Sequence, residues 1–416
     1  MPGATHRFGL LLICYALFCS LLCTARENPV RTGIDVLEED NFAPLRRADG
    51  HTTRIGLVTN QTGIDGAGRR TIDVLAHAPG ITLAALFTPE HGLAGKLDTT
   101  EIANSRDAAT GVPVYSVYGA DPAQRRPPPA VVKTLDAIVF DLQDVGVRFY
   151  TYETTLGYFL EAAAQARVPI FVLDRPNPTT GTYVQGPVSE PGLCATANCQ
   201  FVNYRPLPVR HGMTIGELAK LFNAEGHLEA RLTVIAMRGW KRNTWFDATG
   251  LPWIDPSPNI RSLTAATLYP GVGLIEGTNI SVGRGTDHPF ALVGAPWIEA
   301  RRLATYLKRR TIAGVRFQRA IFRPAASMYA NQRCNGIRIR VLDRNALDGT
   351  ELGIELASAL HKLYPEEYKT EKMIDLLANR SVLDAIVAGR DPRQIQQAYR
   401  GDLRRFEGIR QKYLIY

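Results

Sequence analysis

Four short apolar segments in the first half of the chain each end in polar residues that are capable of chemistry. They are residues 55–59, 81–87, 137–140 and 168–173. Helical patterns separate them, and such alternation indicates right-handed βαβ crossovers and a parallel sheet. Ligands of open parallel sheets bind outside the carboxyl ends of the strands. The sequence therefore predicts an α/β fold with a polar site at that edge.

The length of 416 residues is too great for one ordinary hydrophobic core and predicts two domains. The strand and helix alternation continues to a turn-rich stretch at residues 253–259. A glycine-rich segment, an alternating strand at 334–342 and several helices follow it. We therefore predict a parallel α/β domain over residues 26–255 and a smaller α+β domain over residues 256–416.

The first 25 residues have the pattern of a secretory signal peptide. A basic Arg7 precedes an apolar stretch over residues 8–23, and small residues follow before polar Arg26. The apolar stretch is short for a membrane span. We expect cleavage after Ala25 and export, with an uncleaved anchor as the main alternative. In an oxidising compartment Cys194 and Cys199 could form a disulfide, which leaves Cys334 unpaired and buried.

Charge and motifs exclude several classes of protein. The chain after residue 25 holds 47 basic and 40 acidic side chains, an excess that favours an anionic partner or merely aids solubility. The basic residues are scattered rather than interleaved with aromatic ones, which disfavours nucleic acid. Neither dinucleotide nor phosphate-loop glycine motifs follow a strand, so nucleotide cofactors are disfavoured. The serine elbow and the zinc spacings are also missing from the sequence, and we expect neither cofactor nor metal.

Glu90 is the strongest single candidate for acid–base chemistry. It follows a predicted strand and Pro89 and precedes Gly92, where a carboxyl group can be partly withdrawn from water. Desolvation favours the protonated form, which suits a carboxyl group to donate a proton near neutral pH. The structural alternatives are a helix cap or an ion pair. His91 could orient Glu90, contact the ligand or satisfy a buried backbone group.

Further polar residues follow the third strand and lie in the glycine-rich segment. Asp141 and Asp144 could supply a second carboxylate, hydrogen-bond a sugar or cap a turn. Arg148, Tyr150 and Tyr152 come next at alternating spacing, which places them on one face of an extended stretch. Arginine suits paired contacts with a ligand carboxylate, and tyrosine offers a stacking face with a polar tip.

Five segments together carry a resemblance to a known family. They are residues 87–92, 141–152, 174–178, 256–259 and 276–286, in that order. In these segments the chain resembles the NamZ family of exo-β-N-acetylmuramidases, and the resemblance extends over residues 33–416. It implies a Rossmann-like parallel-sheet domain, a smaller C-terminal domain and an active-site cleft between them. The short insertion between Cys194 and Cys199 is peculiar to this chain or to a subgroup.

The resemblance also implies the reaction, which is release of N-acetylmuramic acid from the non-reducing ends of peptidoglycan fragments. Glu90 would protonate the leaving oxygen, with Glu276 or Asp144 as the second carboxylate. A retaining, an inverting and a substrate-assisted mechanism all remain open. Arg148, Arg175 or Arg284 would pair with the lactyl carboxylate of the substrate.

The expected ligand contacts are polar residues of the matching segments and of the first strand end. They are Asn60, His91, Asp141, Gln143, Arg148, Tyr150, Tyr152, Asp174, Arg175, Asn177, Asn259, Asn279 and Arg284. A non-catalytic exported protein that binds muropeptides or sugars is the alternative from a different class. An esterase or deacetylase of wall sugars ranks last, because the serine and metal motifs are missing.

Overall fold

The computed structural model describes residues 29–191, 193 and 201–416. The expected signal peptide at residues 1–25 and the Cys194–Cys199 pair lie outside the described residues. The strands are β1 Thr53–Thr59, β2 Ile81–Thr88, β3 Ser105–Arg106, β4 Pro113–Ser116, β5 Ala137–Asp141, β6 Ile170–Leu173, β7 Gln185–Val188, β8 Pro208–Arg210, β9 Leu232–Ile235, β10 Leu292–Ala295, β11 Val315–Phe322 and β12 Cys334–Val341.

The helices alternate with strands in the first half and dominate the second. They are α1 Gly33–Glu39, α2 Thr71–Ala76, α3 Pro129–Val132, α4 Tyr152–Ala166, α5 Ile215–Glu225, α6 Leu263–Val272, α7 Ala300–Arg310, α8 Gly349–Leu363, α9 Ile374–Leu377, α10 Arg380–Val387 and α11 Pro392–Arg410. No helix in the described part of the chain has the length and apolar character that crossing a membrane requires.

A seven-stranded sheet forms the first domain, in the order β3-β4-β2-β1-β5-β6-β9. Every neighbouring pair is parallel except β3 with β4. The chain builds outward from β1 through β2 to β4 and then crosses to β5 on the other side. This is the Rossmann-like arrangement, and its topological switch point lies between β1 and β5. The predicted fold class is confirmed.

The second domain contains a three-stranded antiparallel sheet in the order β10-β12-β11, with helices packed beside it. Helices α6 and α8 touch along their backbones, since a Cβ at Gly271 would lie 1.9 Å from the carbonyl oxygen of Gly349. One hydrophobic core includes Phe159 of the first domain and Leu303 and Ile386 of the second. The two domains are therefore joined by a shared apolar interior.

Helix α6 and strands β10 and β11 of the second domain are absent from the sequence prediction. Helix α6 is buried along most of its length and carries Pro270 inside it, so it shows no amphipathic period. Strand β11 has mostly exposed side chains, which hide a strand pattern. Cys334 is buried and unpaired among the described residues, as predicted.

Candidate active site

A small cavity lies where the carboxyl edge of the large sheet meets the second domain. Its volume is about 80 Å³. It is lined by Glu90, His91, Phe149, Tyr150, Thr151, Ser257, Asn259, Ile260, Tyr269, Glu276, Arg284 and Phe290. Side chains from both domains therefore build one concave site, at the place where open α/β sheets bind ligands.

Glu90 is presented to this cavity by the turn that follows β2. His91 has φ of 72°, in the left-handed region, and so turns the chain sharply after Glu90. Its Nδ1 donates to the carbonyl oxygen of Leu97 at 2.8 Å, which fixes the ring. Glu90 is half-buried, and both of its carboxyl oxygens accept a hydroxyl group. The donors are Tyr118 to Oε1 at 2.8 Å and Thr151 to Oε2 at 2.7 Å.

The nature of these two partners matters for proton transfer. A hydroxyl group both donates and accepts hydrogen bonds, whereas arginine and backbone N–H groups only donate. Tyr118 and Thr151 can therefore serve Glu90 when it is ionised, and one of them can rotate to accept when it is protonated. The carboxyl group of Glu90 is thus supported in both states that an acid–base catalyst visits.

Glu276 is the second carboxylate of the cavity and has a different environment. It follows the turn after α6, and its side chain is 18% exposed. Burial raises the pKa of Glu276 above its ordinary value, Arg284 opposes this by charge and hydrogen bonding, and the charge of Glu90 adds to the increase. Glu90 and Glu276 line the same cavity.

Arg284 connects the polar groups around the cavity. Its guanidinium forms an ion pair with Glu276 and another with Asp98 of the first domain, the latter at 3.0 Å. The Asn259 amide is oriented so that its oxygen faces the Arg284 N–H groups. This oxygen accepts from Arg284 Nη2 at 2.9 Å and from Nε at 3.0 Å. A cation thus stands beside the two carboxylates, in reach of an anionic ligand group.

Aromatic rings form one wall of the cavity. Tyr269 packs edge-on against Phe149 and Phe290, with ring centroids 5.1 and 4.8 Å away. Tyr150 contacts Tyr269 at 6.3 Å in the same manner. Burial and the nearby charge of Glu276 hold the pKa of Tyr269 well above its ordinary value, so its hydroxyl stays neutral. An aromatic wall opposite carboxylates suits a ligand with both apolar and polar faces, such as a sugar ring.

Comparison with known proteins identifies the family. The model of the N-terminal part of exo-β-N-acetylmuramidase NamZ matches residues 55–264, and that of the C-terminal part matches residues 267–416. The chain is a member of the NamZ family. It is 42% identical over 397 residues to peptidoglycan β-N-acetylmuramidase NamZ of Bacillus subtilis strain 168, covering 94% of this chain and 93% of that protein.

Solved structures agree with this membership. A DUF1343 family protein of Bacteroides fragilis has 34% sequence identity and a TM-score of 0.84, covering 93% of this chain and 99% of the other. A second such protein of the same organism has 29% identity and a TM-score of 0.75, with coverage of 94% and 99%. The NamZ family resemblance seen in the five sequence segments is therefore confirmed.

The structure brings only some of the predicted site residues to the cavity. Those that line it are Glu90, His91, Tyr150, Asn259, Glu276 and Arg284. Asp144, predicted as a possible second carboxylate, does not line it. The Asp144 side chain is buried, accepts from the N–H of Gly146 at 2.6 Å and lies 3.7 Å from Nε2 of His211. Glu276 therefore fits the role of second carboxylate better.

Three charged candidates are used inside the protein instead of in the cavity. Arg175 pairs with Asp141 at 2.5 Å, and both side chains are almost fully buried. Asp174 accepts from Thr214 at 2.7 Å and from the N–H of Gly216 at 2.8 Å. These side chains end their strands as predicted, but they satisfy buried neighbours rather than face a ligand.

The remaining candidates also have partners within the chain. Arg148 is fully buried and donates to the carbonyl oxygens of Leu376 and Leu377. Each of the others bonds to nearby groups: Asn60 to Tyr152, Tyr152 to the carbonyl oxygen of Pro256, Gln143 to that of Pro176, Asn177 to that of Met213, and Asn279 to that of Glu367. Asn60 and Tyr152 lie behind Glu90 and support its turn, since the Tyr152 hydroxyl is 3.5 Å from the Glu90 carbonyl oxygen.

Sequence reasoning missed the two hydroxyl groups that hold Glu90. Thr151 lies between two tyrosines in a segment that was singled out, but a threonine at a helix start ordinarily indicates only a cap. Tyr118 follows strand β4 and carries no motif. Its position beside Glu90 follows from β4 pairing with β2, which the sequence alone does not show.

Proposed function

We propose that this protein is an exo-acting glycoside hydrolase that releases N-acetylmuramic acid from the non-reducing ends of peptidoglycan fragments. The observation that carries the proposal is the pairing of Glu90 and Glu276 across one cavity in a chain of the NamZ family. Most glycoside hydrolases use two carboxyl groups that flank the scissile bond.

In this proposal the two carboxyl groups have separate tasks. Glu90 protonates the leaving oxygen, because its hydroxyl partners accommodate both protonation states. Glu276 acts as base or nucleophile in its ionised form, which the Arg284 guanidinium favours. The raised pKa of Glu276 makes its carboxylate a stronger base nearer to neutral pH.

Arg284 gives the proposal a basis for choosing muramic acid over glucosamine. The sugars differ by a lactyl group, which ends in a carboxylate. Of the three arginines expected to pair with it, Arg148 and Arg175 are buried in other contacts, and Arg284 lines the cavity. Its guanidinium already pairs with Glu276 and with the exposed Asp98, so the lactyl carboxylate would bind it in place of Asp98.

Export is the second part of the proposal. A basic, apolar and small-residue pattern over residues 1–25 supports a secretory signal. An exported enzyme would meet peptidoglycan fragments outside the cytoplasm. Cell fractionation of the tagged full-length chain would test this, and a cytoplasmic pool of unprocessed protein would contradict it.

The hydrolase proposal predicts that Glu90→Gln abolishes turnover without unfolding the protein. The wild-type protein should release N-acetylmuramic acid from MurNAc-GlcNAc and from a chromogenic 4-nitrophenyl muramide. Glutamine keeps the shape and the hydroxyl contacts but cannot donate a proton to the leaving oxygen. Because the sugar leaving group of MurNAc-GlcNAc needs that proton, kcat for this substrate should fall by about 10²–10⁴.

Thermal melts of Glu90→Gln should match those of the wild type, because the carboxyl group is not part of a buried ion pair. Wild-type turnover by the variant would contradict the role of Glu90. If wild-type protein binds muropeptide in calorimetry but releases no sugar on long incubation, the alternative of a non-catalytic binding protein is correct.

A further inference from the structure

A groove of about 820 Å³ lies beside the candidate active site and has about ten times the volume of its cavity. It runs between the outer surface of α4, the proline segment at residues 127–129 and the loop at residues 102–104. We call it the α4 groove. None of its lining residues belongs to the cavity that holds Glu90.

Two contacts connect the α4 groove to the reacting end of Glu90. Tyr118 lines the groove, and its hydroxyl donates to Glu90 Oε1 at 2.8 Å. Thr151, at the start of α4, donates to Oε2, and Tyr158 and Gln165 of the same helix line the groove. At 1.5 Å per helical residue, the groove extends from roughly 10 Å to roughly 20 Å beyond Thr151 along the helix.

The chemistry of the α4 groove suits a polar polymer with anionic groups. Its buried floor includes Val132 and Tyr158, and its exposed rim includes the amide side chains of Gln124 and Gln165. Carboxylates are absent from its lining residues, whereas Arg126 and Lys133 are both present. Arg126 forms an ion pair with Glu161. Lys133 is exposed and takes part in no ion pair among the described residues.

The general acid defines the leaving-group side of a glycosidase site, because it protonates the departing oxygen. An exo-acting enzyme encloses one terminal sugar, and the rest of the substrate must extend away from that sugar on the leaving-group side. The α4 groove meets the general acid through Tyr118, which lines the groove and donates its hydroxyl to Glu90. We infer that the α4 groove is the aglycone subsite, which binds the continuing glycan and, near Lys133, a carboxylate of an attached peptide.

This inference rests on the proposed function, and kinetics with three substrates can separate the two. The substrates are 4-nitrophenyl muramide, a peptide-free MurNAc-GlcNAc tetrasaccharide and the same tetrasaccharide carrying a peptide. Ala162→Trp places a large ring in the groove, away from the acid–base groups. It should lower kcat/KM for both tetrasaccharides at least about tenfold, mainly through KM, and leave the 4-nitrophenyl muramide within about twofold.

Lys133→Glu reverses one exposed charge of the groove and is not expected to affect folding. It should raise KM about tenfold for the peptide-bearing substrate only. The matched control is Lys308→Glu on α7, an equally exposed lysine outside the groove, which should change none of the three.

Two results would overturn the α4 groove assignment. In the first, both groove variants have wild-type kinetics on both tetrasaccharides. In the second, both variants lose kcat/KM equally on all three substrates. Failure of the wild-type protein to cleave 4-nitrophenyl muramide would instead contradict the hydrolase proposal itself.

Discussion

The carboxyl group of Glu90 accepts hydrogen bonds from two neutral hydroxyl donors, Tyr118 and Thr151. Thr151 is buried and begins the helix α4, so its side chain has a fixed origin. A hydrogen bond to a charged group contributes about 1.5–3 kcal/mol. The orientation of Glu90 should therefore be sensitive to this one oxygen atom.

Thr151→Val is expected to lower kcat about 10- to 100-fold, because valine keeps the shape of threonine but cannot donate to Glu90. Thr151→Ser keeps the hydroxyl group and should retain most of the activity. Both are measured by release of N-acetylmuramic acid from MurNAc-GlcNAc, whose sugar leaving group must be protonated. If valine and serine have the same effect, the hydroxyl group has no role in positioning Glu90.

At this scale the sequence indicated Glu90 as the candidate acid but did not indicate the two hydroxyl groups that bond to it. Glu90 stands at a strand end beside proline and glycine, a pattern that is visible without a structure. Asp174 and Arg175 occupy an equivalent position at the end of β6, three strands away in the sheet, yet both turn inward to buried partners. A polar residue at a strand end can face a ligand or a neighbour, and only the packing of other elements decides which.

The ends of β1 and β5 form the switch point, where Rossmann-like folds commonly bind a ligand. Here the protein's own side chains fill the space beside them. Asp141, at the end of β5, accepts from Arg175 at 2.5 and 2.8 Å and from Thr71 at 2.6 Å. The candidate active site is accordingly displaced toward the loop after β2 and the second domain.

Asp141→Asn should therefore destabilise the protein without removing its chemistry. The substitution leaves the buried guanidinium of Arg175 without its counter-charge, which typically costs about 3–5 kcal/mol. The free energy of unfolding in urea measures this loss, and kcat of the folded variant should stay within about threefold of the wild type.

The control is Asp136→Asn, which removes a partner of Arg47 in an exposed ion pair and should leave the unfolding transition nearly unchanged. A large loss of kcat in Asp141→Asn with normal stability would instead restore Asp141 as a substrate contact.

Elements with regular patterns were predictable, and elements defined by their neighbours were not. The parallel strands and α4 have apolar runs or clear helical periods, because they are buried on defined faces. Helix α6 is buried almost all round, so its sequence has no polar face to mark a helix. Yet α6 carries Tyr269 to the cavity wall, and its position comes from close contact with α8.

Across the whole molecule, the last residues of the chain return to the first domain. The Tyr416 hydroxyl donates to Asp174 at 2.8 Å, and its ring packs edge-on against Trp240 at 5.0 Å. The N–H of Ile415 donates to Glu217 at 2.9 Å. Burial raises the pKa of Asp174 from 3.8 to about 7, although three hydrogen bonds oppose this. Folding thus binds a proton at Asp174 in mildly acidic solution.

Stability should therefore depend on pH through Asp174. A raised carboxyl pKa means that the folded protein binds more protons than the unfolded chain between about pH 4 and 7. Its stabilising contribution is complete below pH 3.8 and is lost as pH rises through about 7. Asp174→Asn resembles the protonated form at every pH. The variant should melt close to the wild type near pH 4 and above it near pH 8.

Thermal melts of both proteins from pH 4 to 8 measure this difference. A constant gap between wild type and Asp174→Asn across the range would show that Asp174 does not titrate in the folded protein.

The buried side chain of Arg148 connects the two family segments. Its fully buried guanidinium belongs to the first family segment, while the carbonyl oxygens that it bonds, those of Leu376 and Leu377, belong to the second. If the first segment were joined to an unrelated partner, the Arg148 guanidinium would lose these two buried acceptors. We therefore expect either segment, expressed without the other, to be less stable than the whole chain.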